Sequence, residues 1–200
     1  MAEKQYWSYE SIHQLVCELA TAVKDFRADI MVAIGGGGFI PARILRTYIH
    51  VPILAVGLEL YDDTTNRPRE NPIKTQWFDE HTGGGEGGSR LKGKRVLVVD
   101  EVDDSRTTLQ YCVEELRKTF QPERVGVVVL HNKKKEKRGV LPADVDYFCG
   151  EEIEDKWVVY PWDATDIYAH QAAARAQQEA AHQQHHQHEN NNVSSSSSSS

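Results

Sequence analysis

The chain has few cysteines, no long apolar run and no excess of positive charge. Its three cysteines, Cys17, Cys112 and Cys149, are odd in number and far apart, without the close spacing of a metal site. A disulfide framework is thereby excluded, and the reduced thiols of a cytoplasmic protein are expected. No apolar stretch approaches a membrane span, and the first residues lack the apolar centre of a signal peptide, so a soluble intracellular protein is expected. Lys+Arg 23 against Asp+Glu 30 gives a formal charge of −7, which argues against general nucleic-acid or anionic-membrane binding but leaves room for a local basic pocket. Two nucleotide signatures are also missing. The glycine tract Gly35 to Gly38 is not followed by Gly-Lys-Ser/Thr, so it is no P-loop, and Ile40 stands where a dinucleotide fingerprint needs its third glycine.

What is present is concentrated between Arg95 and Leu109. Val96 to Val99 is a continuous apolar run, as a strand covered on both faces requires. It ends in four carboxylates within five positions, Asp100, Glu101, Asp103 and Asp104, followed by Ser105, Arg106, Thr107 and Thr108. Leu109, Val113, Leu116 and Phe120 then recur at helical spacing. The string reads as strand, tight loop, helix, with the acidic loop at the carboxyl end of a parallel strand, where open α/β sheets bind ligands. Hydroxyl residues at a helix start favour a phosphate. Carboxylates one step back repel a bare phosphate but suit sugar hydroxyls or a divalent cation. Phosphate, diol and metal together describe a ribose 5-phosphate. A plain acidic N-cap is the alternative, but four carboxylates exceed what a cap needs.

In chain order, Ile12, Leu15, Val16, Leu19, Val23 and Phe26 form a helical stripe after Ser8, a candidate N-cap. Asp29 to Ile34 reads as a buried strand running into the glycine tract, and Phe39 to Ile49 as the helix that follows. Taken alone, the tract is equally a tight-packing turn or a phosphate loop. Ile53 to Leu60 reads as a further strand. From Tyr61 to Lys94 the chain is polar and rich in Gly and Pro, so it reads as a long functional or disordered connection. Arg124 to Leu130 reads as another buried strand, ending in the basic run Lys133 to Arg138. An aromatic cluster, Trp157, Tyr160 and Trp162, closes the patterned part. Residues 170–200, rich in Gln, His and Asn and ending in seven serines, read as a disordered tail without function.

The string Val98 to Thr108 resembles the phosphoribosyl pyrophosphate (PRPP) motif of type I phosphoribosyltransferases, closest in form to the fungal purine enzymes. It departs at Arg106 and Thr107, where many relatives carry glycine and glycine or lysine. Ile34 to Ala42 resembles the pyrophosphate loop of the purine enzymes, in which a non-proline cis peptide would fall at Gly35-Gly36. Lys74-Thr75-Gln76-Trp77 and His131-Asn132-Lys133 resemble fungal segments. Asp155 to Asp163 resembles the purine-binding hood of the xanthine–guanine family.

The resemblance implies an α/β fold with a twisted, mainly parallel sheet, helices on both faces and a small hood. The domain would cover residues 1–169, with a catalytic flap at about 61–92 and a hood segment at about 133–165. PRPP would be held by Asp100, Glu101, Asp103, Asp104, Ser105, Arg106, Thr107 and Thr108, with Asp104 as general acid or base. Pyrophosphate would lie on Gly35, Gly36, Gly37 and Lys74, with Arg69 a weaker candidate. Lys133 would donate to the purine 6-oxo group, Trp157 would stack on the base and main-chain groups at Val158 would read its edge. The other cations of the 133–138 run would face solvent, and Trp162 would serve packing. Mg²⁺ would be carried by Asp100 and Glu101, directly or through water. The implied reaction converts PRPP and a 6-oxopurine to a nucleoside monophosphate and pyrophosphate, in a cytoplasmic homodimer or homotetramer without nucleic-acid or membrane partners. Leu130 to Lys133 with Pro161 to Ala164 lies nearer the fungal xanthine enzyme than its hypoxanthine–guanine sibling. A PRPP-binding regulator that keeps the fold without catalysis is the rival reading. Pyrimidine and adenine transferases are disfavoured, because a lysine donor asks for an oxo acceptor.

Overall fold

A computed structural model describes residues 3–62, 67–78 and 90–196. They divide into two compact units, His13–Asp155 and the paired termini Met1–Ile12 with Lys156–Ser200.

The larger unit is built on a six-stranded sheet. Its strands are β2 (Ile30–Gly35), β3 (Ile53–Asp62), β4 (Arg67–Gln76), β5 (Arg95–Asp103), β6 (Arg124–Lys133) and β7 (Asp146–Ile153), in the order β4-β3-β2-β5-β6-β7. Every neighbouring pair is parallel except β3 with β4. The apolar runs Val96 to Val99 and Val127 to Val129 are buried on both faces, as a central parallel strand requires. On one face Val32, Ile34, Val96, Val98, Val127 and Val129 pack with Leu109, Val113, Leu116 and Phe120 of helix α3 (Thr107–Phe120). On the other, Leu15 of α1 (Tyr9–Ala22) meets β7 at Gly150, and Phe26 lies against Leu97 and Gly126. Helix α2 (Phe39–Ile49) follows β2 directly and packs along β2 and β5. Order β2-β5 at the sheet centre brings the ends of two parallel strands together, and both lead into a helix.

The terminal unit contains β1 (Lys4–Tyr6), paired in parallel with β8 (Trp157–Val159), and α4 (Ile167–Ser196). Ser8 and Ser11 exchange main-chain N–H to Oγ bonds at 3.0 Å each, so Ser8 does cap α1, with Ser11 as reciprocal partner.

Two sequence readings are corrected here. The stretch from Tyr61, read as a connection, begins with the end of β3 and continues in β4. Ladder bonds to β3 override its Pro and Gly content, and residues 63–66 and 79–89 lie outside the described residues. Residues 170–196 of the segment read as disordered belong to α4, and 197–200 lie outside the described residues. Alanine and glutamine are strong helix formers, and the first turns are anchored to β1. His170 is buried with its Nε2 2.8 Å from Trp7 O, Ala174 is fully buried, and Gln177 bonds both Tyr6 N and Lys4 O.

Candidate active site at the ends of strands β2 and β5

Three of the four acidic residues are strand residues and not loop residues. β5 continues through Asp103, with Asp100 paired to Val129 and Asp103 to Asn132 across the ladder to β6. The turn proper is Asp104 to Arg106, and α3 begins at Thr107. Its first N–H groups have no intrahelical partner, and no side-chain cap occupies them, so this 14-residue helix presents donors and a positive dipole end. The Ser105 hydroxyl donates to Thr107 Oγ1 at 3.1 Å, which sets both hydroxyls at the helix mouth.

Asp100 is buried, and its Oδ1 accepts the Glu101 N–H at 2.9 Å. Burial, and then the neighbouring Glu101 charge, pushes its carboxyl well above the usual range. Glu101 leans across to β2. A Cβ at Gly37 would meet the Glu101 carboxylate, so a side chain there would displace that group from its place. Gly36 is exposed, with open space where a side chain would stand, and the Gly35-Gly36 peptide is cis as the resemblance implied. Phe39 N donates to Gly36 O and Gly38 N to Ile34 O, which closes the turn. The main chain of the glycine turn therefore faces outward beside the acidic strand end.

Asp104 lies in a different field. Its Oδ1 is 3.1 Å from Lys133 Nζ and 3.1 Å from Lys135 Nζ. Both lysines also meet Asp155 Oδ1, at 3.7 and 3.0 Å, so four alternating charges form a square. Burial alone would raise the Asp104 carboxyl, but the hydrogen bonds from Lys135 and Lys133 outweigh it and hold the group below the usual range. Lys135 is itself shifted upward: desolvation opposes this, and Asp155 and Asp104 overcome it.

Of the residues marked in the sequence, the larger unit brings together Asp100, Glu101, Asp104, Ser105, Thr107 and Thr108 with Gly35, Gly36, Gly37 and Lys133. Others stand elsewhere. Lys74 forms an ion pair with Glu115 on α3 and lies 4.7 Å from the Trp77 ring centroid, so its ammonium is engaged on the helix-covered face. The side chain of Arg69 falls outside the described residues. Asp103 is fully buried among Arg106, Tyr147 and Lys137, and so offers no surface to a sugar. Lys135 and Lys137, read as solvent-facing, are ion-paired to Asp104 and Asp103, while Lys134, with Glu154 at 3.8 Å, and Arg138 are exposed as read. Asp155 and Tyr147 were missed. Tyr147 lies in no motif and Asp155 only heads the hood segment, so only the folded chain shows their contacts with Lys133, Lys135 and Asp103. In the terminal unit Trp157 is 62% exposed on β8, which leaves a ring face free, and Trp162 stacks on Tyr160 at 4.5 Å.

Asp100 and Glu101 are hard oxygen donors whose mutual repulsion a cation would relieve, and this fits Mg²⁺. Among the described residues no group of three or more His, Cys, Asp or Glu could hold a metal ion. Two carboxylates and no protein cage match an ion that keeps waters and substrate oxygens.

The comparisons with known proteins agree with this geometry. The family model for the phosphoribosyl transferase domain matches residues 8–168. A hypoxanthine-guanine phosphoribosyltransferase of Saccharomyces cerevisiae is 40% identical, covering 88% of this chain and 92% of that protein. Xanthine phosphoribosyltransferase 1 of the same yeast is also 40% identical, covering 88% and 97%, so overall identity does not separate the two base preferences. A hypothetical protein from Neisseria gonorrhoeae, crystallised with bound ppGpp, is 44% identical with a TM-score of 0.75, covering 88% of this chain and 98% of that one. A purine phosphoribosyltransferase from Pyrococcus horikoshii, 25% identical, superposes with a TM-score of 0.64 over 82% of this chain and 97% of that one. With the domain model spanning residues 8–168 and relatives 40% identical over most of both chains, the chain belongs to the phosphoribosyltransferase family.

Proposed function

We propose that this protein transfers the 5-phosphoribosyl group of PRPP to a 6-oxopurine, releasing pyrophosphate, as part of purine salvage. The observation that carries the reading is Asp104 held ionised between Lys133 and Lys135, beside an unoccupied-by-side-chain helix mouth and an outward-facing glycine turn.

Each part has a defined task. The α3 N–H groups with Ser105, Thr107 and Thr108 bind the 5-phosphate. Asp100 and Glu101 accept hydrogen bonds from the ribose hydroxyls. The same pair would hold Mg²⁺, directly or through water, and the ion supplies charge compensation for the departing pyrophosphate. Main-chain groups of Gly35 to Gly37 line that pyrophosphate, and a side chain at Gly37 would push the Glu101 carboxylate aside. As the bond to pyrophosphate lengthens, positive charge grows on the ribose ring, and the carboxylates beneath it stabilise that charge. Asp104 takes or returns the proton at purine N7. Lys133 donates to the 6-oxo group, which requires it to release one of its two carboxylate contacts. Lys135 keeps Asp104 ionised during that exchange. The exposed Trp157 ring suits stacking on a planar heterocycle, and main-chain groups at Val158 suit reading the base edge.

Xanthine, hypoxanthine and guanine are the proposed bases, in a cytoplasmic homodimer or homotetramer. The free state of Cys17, Cys112 and Cys149 agrees with a reducing compartment, and no described helix is long and apolar enough to cross a membrane. Lys74 serves pyrophosphate only if it leaves Glu115. A second reading, a PRPP sensor without catalysis, draws support from the ppGpp bound to the gonococcal relative. That nucleotide carries guanine, ribose and pyrophosphate groups and would compete with PRPP here.

A spectrophotometric assay with PRPP and Mg²⁺, offering xanthine, hypoxanthine, guanine and adenine separately, decides between the two. Turnover of 6-oxopurines but not adenine is expected. PRPP binding without turnover of any base would favour the sensor.

A further inference from the structure

Arg106 is an anomaly. Its φ of 67° lies in the left-handed region, where glycine is at ease and an arginine is strained. Its cation, placed by sequence on the phosphate, is spent inward. The guanidinium donates to the fully buried Asp103 through Nε at 2.8 Å and lies 2.7 Å away through Nη2, and it covers the Tyr147 ring at 4.9 Å. The Tyr147 hydroxyl donates to the same Asp103 Oδ2 at 2.7 Å, and Lys137 Nζ stands 3.5 Å from the other oxygen.

The turn is gripped from the other side as well. Lys137 Nζ donates to the main-chain carbonyls of Asp103 and Asp104, at 2.6 and 3.0 Å. Arg138 N and Gly139 N both donate to Ser105 O at 3.0 Å. A Cβ at Gly139 would collide with the main chain of Arg106, so the two segments touch backbone to backbone. Each carbonyl of the turn from Asp103 to Ser105 is therefore fixed by the segment that also carries Lys133 and Lys135.

From this arrangement we infer that Arg106 and Tyr147 are positioning residues, which lock the 5-phosphate turn through Asp103 without touching the phosphate. The inference rests on the PRPP reading and deepens it. Arg106 replaces the conformational freedom of a glycine with an external brace: the strain of its backbone is offset by two charge-assisted bonds and a stacked ring. The turn then arrives pre-ordered, so binding PRPP costs less ordering entropy.

The test is a double-mutant cycle with Arg106→Gly and Tyr147→Phe. Glycine is compatible with the left-handed backbone, and phenylalanine keeps the ring while removing only the hydroxyl, so both variants should fold; thermal unfolding checks this. KM and kcat are measured with calorimetric dissociation constants for PRPP. Each single variant is expected to weaken PRPP about tenfold with kcat nearly unchanged, and the double variant is expected to be no worse than Arg106→Gly alone. An unchanged PRPP constant in Tyr147→Phe, or effects that multiply in the double variant, would overturn the brace and return Arg106 to the phosphate itself. Wild-type binding of PRPP without turnover would retire the transferase reading, yet the cycle would still be read from the dissociation constants.

Discussion

Asp100 and Asp104 leave the same strand end four residues apart, yet their surroundings drive them in opposite directions. Asp100 is buried beside another carboxylate, and its pKa is raised. Asp104 is half-exposed between two ammonium groups, and its pKa is lowered. The contrast shows how one short acidic string supplies two chemistries. A carboxyl that resists ionisation gains from a cation or from sugar hydroxyls. One held towards its ionised form by two cations is ready to accept a proton.

The contrast can be broken most directly at Asp104. Asp104→Asn keeps the shape and removes the charge, and kcat should fall by about 10²- to 10⁴-fold, as expected for loss of a general acid–base, while calorimetry finds PRPP binding retained. Lys133→Ala removes the proposed 6-oxo donor. Purine KM should rise about tenfold with the PRPP constant little changed, and an unaltered purine KM would take Lys133 out of the base site. Lys135→Ala sharpens the comparison without touching substrate. With one cation gone the Asp104 pKa rises, so the acidic limb of the kcat/KM profile should move to higher pH. A limb that stays in place would mean Lys133 alone sets the carboxyl.

The smallest effect belongs to a carboxylate at the opposite end of the sheet, and it serves as a control. Asp29 precedes β2 and takes a bidentate pair from Arg95, at 3.0 and 2.8 Å, that holds its pKa down to about 2 from 3.8. The folded value lies below the unfolded one, so this stabilisation is complete above pH 3.8 and is lost as pH falls towards about 2. The pair is partly solvated, so Asp29→Asn should cost about 1 kcal/mol, seen as a small drop in Tm without change in kcat. A loss of activity there would show that the strand starts, and not only their ends, are coupled to the site.

Much of this was legible in the sequence, for a physical reason. Val96 to Val99 and the Leu109-Val113-Leu116-Phe120 spacing are local patterns, and they carry strand β5 and helix α3. The glycine tract is equally local. What escaped depends on distant partners. The strand continues through Asp103 because β6 pairs with it, although four carboxylates read as a loop. Asp103 read as a sugar ligand because its burial is created by Arg106 and by Tyr147, which comes from β7, 44 residues on. Lys135 and Lys137 read as solvated cations because their acceptors lie over 30 residues back. The tail read as disordered because its composition is polar, whereas Gln177 reaches Lys4 and Tyr6 across the chain.

The opposed carboxylates are best tested by ¹³C NMR titration of the aspartate side-chain carbons, assigned with Asp100→Asn and Asp104→Asn. The Asp104 carbon should titrate below the usual carboxylate range and the Asp100 carbon above it. If Asp104 takes up its proton at the higher pH of the two, the division of labour between sugar-and-cation carboxyl and proton-transfer carboxylate is contradicted.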